Sequence, residues 1–369
     1  MTFSRTLFPL LSSFFFFVVS PARAQWHVVR ENAQKSFPRT IPAGNYSGIT
    51  RLHDDVYAVV SDKSDSTLYF RFRIQVDSLT GDVKQAECLG PSVRIAEGSL
   101  DHEAVALVRD SLLVVASEAL FRFAAYPIGK GTAGVLASTS FASLPVTSPL
   151  ATFVPFPATC FYPNYGYESL TYDAIRDCLW TVSESTMPMD GLAATPSNGG
   201  ANVLRLFAFS PGCLLKDKPA SDTVCAASYV YRMDSPSTTR KAQVYAMGVS
   251  ELCTLPDGRL LVLEREAFVP KKKIGAFCHC KLYVVDPAVS VLVPLSSPLS
   301  PDVPYMQKTL LTEWRTSLTF LGRSFANYEG MCLGPCLKDG SQVLLLVSDS
   351  QDQYGGVLRD WIKSIVIAP

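Results

Sequence analysis

An internal repeat limits what this chain can fold into more than any other feature. A head of the form x-Glu/Ser-small-apolar is followed by a tail of apolar residues, usually Ser, and then Asp or Glu. Five copies fit. The first runs from Tyr46-Ser47-Gly48-Ile49 to Val60-Ser61-Asp62, and the second from His102-Glu103-Ala104-Val105 to Ala116-Ser117-Glu118. The third joins Tyr167-Glu168-Ser169-Leu170 to Val182-Ser183-Glu184, and the fifth joins Tyr328-Glu329-Gly330-Met331 to Val347-Ser348-Asp349. The fourth is looser: Val249-Ser250-Glu251-Leu252 leads through Pro256-Asp257-Gly258 to Leu263-Glu264.

Each copy reads as strand, tight turn, strand, with an acid where the second strand ends. Short β-branched and aromatic runs such as Val56-Tyr57-Ala58-Val59-Val60 alternate with Pro, Gly, Asp and Ser clusters, and long helical periodicity is missing. The fold class expected is therefore all-β, a single closed β-propeller. Heads begin at 47, 103, 168, 250 and 329, and the two longest steps, 82 and 79 residues, leave room for a degenerate extra unit near 203–209 or 282–294. Six blades are expected, with five or seven as alternatives. The last strand, 361–368, is expected to pair with one near 26–29, because that removes exposed edges. Residues 129–149 and 188–201 read as inserted loops.

At the N-terminus, Arg5 precedes an apolar run over 7–19 and the small-residue pattern Ala22-Arg23-Ala24, which is the grammar of a secretory signal peptide. The expected division is 1–24 as signal peptide and 25–369 as one propeller domain. Its product is expected outside the cytoplasm, periplasmic or secreted. The mature part would carry 31 basic and 33 acidic residues, a balance that speaks against nucleic acid. No second apolar stretch suggests a membrane span, and a monomer is expected. All ten Cys fall in the mature part, which in an exported chain points to disulfides. Cys332 with Cys336 and Cys213 with Cys225 are close enough in sequence to pair, with connectivity left open. Cys278-His279-Cys280 reads as half a zinc site only if two more soft ligands stand at a matching spacing, against the plainer reading of a disulfide or free thiols.

In a propeller, equivalent blade positions converge on the central channel. The tail acids Asp62, Glu118, Glu184, Glu264 and Asp349, with the head acids Glu103, Glu168 and Glu329, are expected to form a ring there. So many carboxylates repel each other unless a cation compensates. Oxygen-only ligands suit Ca²⁺ better than zinc, and Mg²⁺ prefers fewer protein ligands. All eight are therefore candidate metal ligands, against the plainer reading that an acid at a strand end caps a turn. The head acids Glu103, Glu168 and Glu329 are the sharper candidates for catalysis, and His102 is a candidate general base. Lys63, Arg51 and Arg265, with Arg323, lie near blade ends and are candidates to meet an anionic group. No zincin helix, nucleophile elbow or phosphate-cradling glycine loop is present.

Asn45-Tyr46-Ser47-Gly48-Ile49, Tyr167-Glu168-Ser169-Leu170, Ser250-Glu251-Leu252 with Glu264-Arg265, and Asn327-Tyr328-Glu329-Gly330 together resemble the phytase-like esterase family over about 45–350. The resemblance implies an extracytoplasmic propeller related in architecture to β-propeller phytases and calcium-dependent lactonases, with esterase or phosphoesterase activity. Serine at two head positions, the loose fourth unit and the high Cys content depart from the pattern. The expected function is a Ca²⁺-dependent ester hydrolase acting on a small-molecule ester or phosphate ester. A Ca²⁺-dependent lactonase, and a non-catalytic propeller stapled by calcium that binds a protein or glycan, are the alternatives.

Overall fold

The computed structural model describes residues 24–63, 67–94, 101–128, 149–214, 226–295, 297–320 and 322–369. The signal-peptide reading, Cys225 and most of the 129–149 loop lie outside the described residues.

Five antiparallel sheets are present among them, one per head motif. Blade 1 orders Tyr46–His53, Val56–Ser61, Thr67–Val76 and Val83–Cys88, with Val93–Arg94 added on Thr67–Val76. Blade 2 is His102–Val108, Leu112–Ser117, Arg122–Pro127 and Ala151–Phe153. Blade 3 is Thr171–Asp173, Cys178–Val182, Val203–Phe209 and Ala226–Arg232, and blade 4 is Val244–Thr254, Leu260–Val269, Ala276–Val285 and Lys308–Leu318. Blade 5 takes Asn327–Cys336, Gln342–Asp349 and Trp361–Ala368 from the C-terminal end, and its outermost strand, His27–Glu31, from the N-terminal end. His27 opposes Ala368 and Glu31 opposes Ile365, the pairing expected from the sequence.

The protein is thus an all-β propeller of five blades, and the expectation of six is corrected. Val203–Phe209 and the 282–294 region are not an extra blade. The first is the third strand of blade 3, and the second begins inside the third strand of blade 4. The long steps arise because blade 4 uses strands of 10 and 11 residues. They also arise because blade 3 carries a long connection after Val182, which the buried Arg205–Asp190 ion pair pins to the carbonyls of Pro294 and Ser297.

Apolar packing lies between blades. Five clusters of buried side chains each join two neighbours: blades 1 and 2, 2 and 3, 3 and 4, 4 and 5, and 5 with 1. The head motif explains this arrangement. Its first residue, Tyr46, Tyr167, Val249 or Tyr328, and its apolar fourth, Ile49, Leu170, Leu252 or Met331, both enter a cluster shared with the preceding blade. The small third residue is a steric requirement. A Cβ on Gly48 would lie 2.8 Å from the Ala104 Cα, and one on Gly330 would lie 3.0 Å from the Gly48 Cα, because the innermost strands of blades 2, 1 and 5 nearly touch.

Candidate functional site

The second head residue behaves differently from its neighbours, and strand register shows why. Tyr46 opposes Ser61 but Gly48 opposes Val60, so Ser47 is an unpaired extra residue. The same one-residue shift leaves Glu103 between His102 and Ala104, Ser250 between Val249 and Glu251, and Glu329 between Tyr328 and Gly330. In blade 3, Tyr167 bridges Ser183 while Thr171 opposes Trp180, which puts the shift at 168–170. A β-bulge bends the strand and re-aims the extra side chain. Repeated around the ring, it turns Glu103, Glu168 and Glu329 toward one mouth of the channel.

The tail acids arrive beside them. Asp62 donates its amide to the Asn45 carbonyl, Glu118 to Asp101 and Glu184 to Gly166, and Asp349 opposes Asn327. The result is a cavity of about 310 Å³ lined by Asp62, Glu103, Glu118, Glu168, Glu184, Glu329 and Asp349, with Tyr165 and Gln351 at its edge.

In blade 4 the corresponding position is not Glu264. Val249 opposes Glu264 as Tyr46 opposes Ser61, so the residue that follows, Arg265, occupies the tail-acid place. A one-residue offset sends a strand side chain to the other face. Glu264 therefore points away from the cavity, where it accepts bonds from Tyr231 (2.7 Å) and Lys308 (2.6 Å). Its assignment to the ring is corrected. Arg265 donates to Glu184 at 2.5 Å and also to Glu329 and to Asn327.

Arg265 divides the mouth into two halves. On its side Glu184 and Glu329 are ion-paired, and Glu329 also accepts from the Asn327 amide (2.6 Å). On the other side Glu118 accepts the Gly166 N–H (2.8 Å), and Asp62 pairs with the exposed Lys63 (2.7 Å). Glu103 and Glu168 are 6% and 8% exposed, and among the described residues no hydrogen bond reaches either carboxylate. Burial drives both well above the ordinary carboxylate range, reinforced by Glu168 and Glu329 around Glu103 and by Glu184 beside Glu168. Burial also raises Glu329, with Asp349 adding to it, and raises Glu118 and Glu184. Asp62 is pushed up to about 6 by burial, against the pull of Lys63. Burial works against the Arg265 charge, yet Glu329, Glu184 and Glu168 hold it well above its usual value.

The acids on this side cluster. Asp62, Asp101 and Glu103 offer oxygens all within 4.8 Å of one another, and so do Glu103, Glu118 and Glu168. Oxygens on that scale fit around a hard divalent cation with ligand distances of about 2.3–2.6 Å.

Three candidate residues lie elsewhere. His102 occupies the place that Tyr46, Tyr167 and Tyr328 hold in other blades, 3% exposed, with the Thr67 backbone of blade 1 and Arg122 about it. Burial lowers its pKa to about 4, so it is a neutral packing residue outside the cavity lining. Arg51 is at the opposite end of the channel, lining a second pocket with Thr50, Cys332 and Leu333 and donating to the carbonyls of Asp54 and Gly334. Arg323 bridges Leu318 at the outer strand of blade 4. Cys278 and Cys280 share one buried face, sulfurs 3.7 Å apart, while His279 turns the other way to Glu313 (3.1 Å). Cys332 and Cys336 are free thiols, so that expected pairing is not formed.

Sequence reasoning missed Asp101 and Glu251. Asp101 stands immediately before the head, in the column that holds Asn45 and Asn327 in blades 1 and 5, and that polar column was its signal. Glu251 lies one step along the strand from Ser250. It is 1% exposed, accepts the Leu170 and Leu252 N–H groups with one oxygen and leaves the other buried without a partner.

Fold and mouth together define a five-bladed propeller with an acidic, one-sided channel entrance. The chain belongs to the phytase-like family described as esterase-like activity of phytase, which it matches over residues 41–351. No curated protein matches it. Among solved structures it is similar to a streptogramin B lyase, with 13% identity, a TM-score of 0.32, and coverage of 92% of this chain and 98% of that one. The β-xylosidase RS223 has 11% identity, a TM-score of 0.43, and coverage of 91% and 94%. A DUF4221-family protein from Bacteroides vulgatus has 9% identity, a TM-score of 0.36, and coverage of 93% and 98%. At such scores these likenesses carry no argument about activity.

Proposed function

We propose that the protein is an exported, Ca²⁺-dependent ester hydrolase acting on small phosphate esters at the acidic channel mouth. One observation carries the reading. Glu103 and Glu168 are more than nine-tenths buried, receive no hydrogen bond from the described residues, and share a 4.8 Å cluster with Glu118. Buried carboxylates left without partners are costly, and a cation relieves that cost. The donor set is oxygen only, which suits Ca²⁺.

Glu103, Glu118 and Glu168 would hold the ion, which supplies Lewis-acid polarisation of a phosphoryl oxygen and a lowered pKa for bound water. The chain's own residues then have distinct tasks. Seven carboxylates against Arg265 make the mouth repel anions, so an anionic ester enters only when the charge is offset. Lys63, exposed at the rim, attracts it. Glu329, fixed at one oxygen by Arg265 and Asn327, is placed to act as the general base toward water, with a proton affinity that burial and Asp349 raise and Arg265 lowers. Arg265 keeps Glu329 and Glu184 in place.

The test is hydrolysis of aryl phosphates, inositol phosphates, aryl carboxylic esters and lactones by the mature chain, with Ca²⁺ and with a chelator. Chelator-sensitive turnover on phosphate esters supports the proposal. Turnover only on lactones or carboxylic esters moves the substrate class. Absence of turnover, beside a Ca²⁺-dependent rise in melting temperature, favours a calcium-stapled binding propeller instead.

A further inference from the structure

We propose that the mouth binds two divalent cations side by side, with Glu103 shared between them and Asp101 completing the second site together with Asp62. This rests on the reading that the mouth takes a divalent cation at all. The two clusters of mutually close oxygens, Asp62/Asp101/Glu103 and Glu103/Glu118/Glu168, have only Glu103 in common. Each is compact enough for one ion with ligand distances of about 2.3–2.6 Å.

Two further observations point to the second ion. Glu103 is 6% exposed, lines the cavity and receives no hydrogen bond from the described residues. The Oδ1 atom of Asp62 is buried with no partner among the described residues, while its Oδ2 holds Lys63 at 2.7 Å. Lys63 also reaches Gln351 (3.5 Å) and has a half-exposed side chain, so it is free to swing away. Its ammonium serves as a monovalent stand-in at the edge of the second site. Charge agrees with this count. One divalent ion leaves the five acids of the two clusters strongly under-compensated, and a second reduces that excess. The ion pairs of Arg265 lie on the far side, at Glu184 and Glu329.

Equilibrium dialysis of the full mature chain against Ca²⁺ tests this. Two ions per chain are expected at saturation. Asp101→Asn should leave one, as should Glu118→Gln, and Lys63→Met should tighten the weaker site by about tenfold or more by removing its competing cation. Circular dichroism checks that each variant is folded. One ion per chain in the wild type, or two in the Asp101→Asn variant, overturns the second site while leaving a one-metal hydrolase intact. No bound ion overturns both readings, and two bound ions without any turnover supports the pair of sites while removing the hydrolase.

Discussion

Replacing Arg265 with Met probes the charge balance of the mouth most sharply. The side chains of Arg265, Glu184 and Glu329 are 5%, 4% and 11% exposed, and the arginine donates to both acids. Removing one partner of a buried pair leaves uncompensated charge and costs about 3–5 kcal/mol. For a chain of this size each kcal/mol corresponds to roughly 2 °C in melting temperature, so a fall of about 6–10 °C is expected near neutral pH without added metal. The loss should shrink on acidification. Both glutamates have folded-state values raised above the unfolded value of about 4.3, so the folded chain binds more protons than the unfolded one across that interval. Stability therefore rises as pH falls through the folded values, and more so in the variant, where no cation opposes protonation. Differential scanning fluorimetry at about pH 7.5 and about pH 5 reads the difference. An unchanged melting temperature at the higher pH, or a loss equal at both, would refute the assignment of Arg265 as the ring's internal counter-charge.

Calcium should raise the melting temperature more at about pH 7.5 than at about pH 5, because Asp62, pushed up to about 6, must lose its proton before it can serve as a ligand. Equal stabilisation at the two values would count against carboxylate ligation. His102→Phe should retain turnover, since His102 occupies an interblade packing position, and a large loss of kcat would restore it as a catalytic candidate. Gly48→Val should destabilise by about 3 kcal/mol or prevent folding, because its Cβ would meet the Ala104 Cα at 2.8 Å. A urea midpoint close to wild type would contradict the close approach of blades 1 and 2.

The five heads marked the five blades directly, and the sixth was inferred only from spacing. Sequence steps count residues, and the extra length of blade 4 went into longer strands, which spacing does not distinguish from another unit. Seven of the eight proposed ring acids line one cavity because the head-to-tail interval carries the strand register with it. The eighth, Glu264, failed by one residue. The fourth unit keeps the head-to-tail register of blades 1 and 2, which lands on Arg265, and choosing the neighbouring acid instead is a one-residue error that exchanges the channel face for the outer face. That error concealed the role of Arg265, which breaks the symmetry of the ring. His102 was misread because the first head position is a packing position, visible only when the tyrosines of the other blades are seen in their clusters. The bulge that aims each head acid inward has no signature in a single copy of the motif. It becomes visible in the five registers side by side.

The central claim is that the unpaired half of the mouth is a cation-dependent hydrolytic site, and comparison of the wild type with the Glu103→Gln/Glu168→Gln variant on an aryl phosphate tests it most directly. The account predicts that wild-type turnover is abolished by a chelator and restored by Ca²⁺. It predicts that the variant, folded and at least as stable without metal because two buried charges are gone, shows no restorable turnover. Turnover in the variant that matches the wild type, or wild-type turnover indifferent to the chelator, would contradict it.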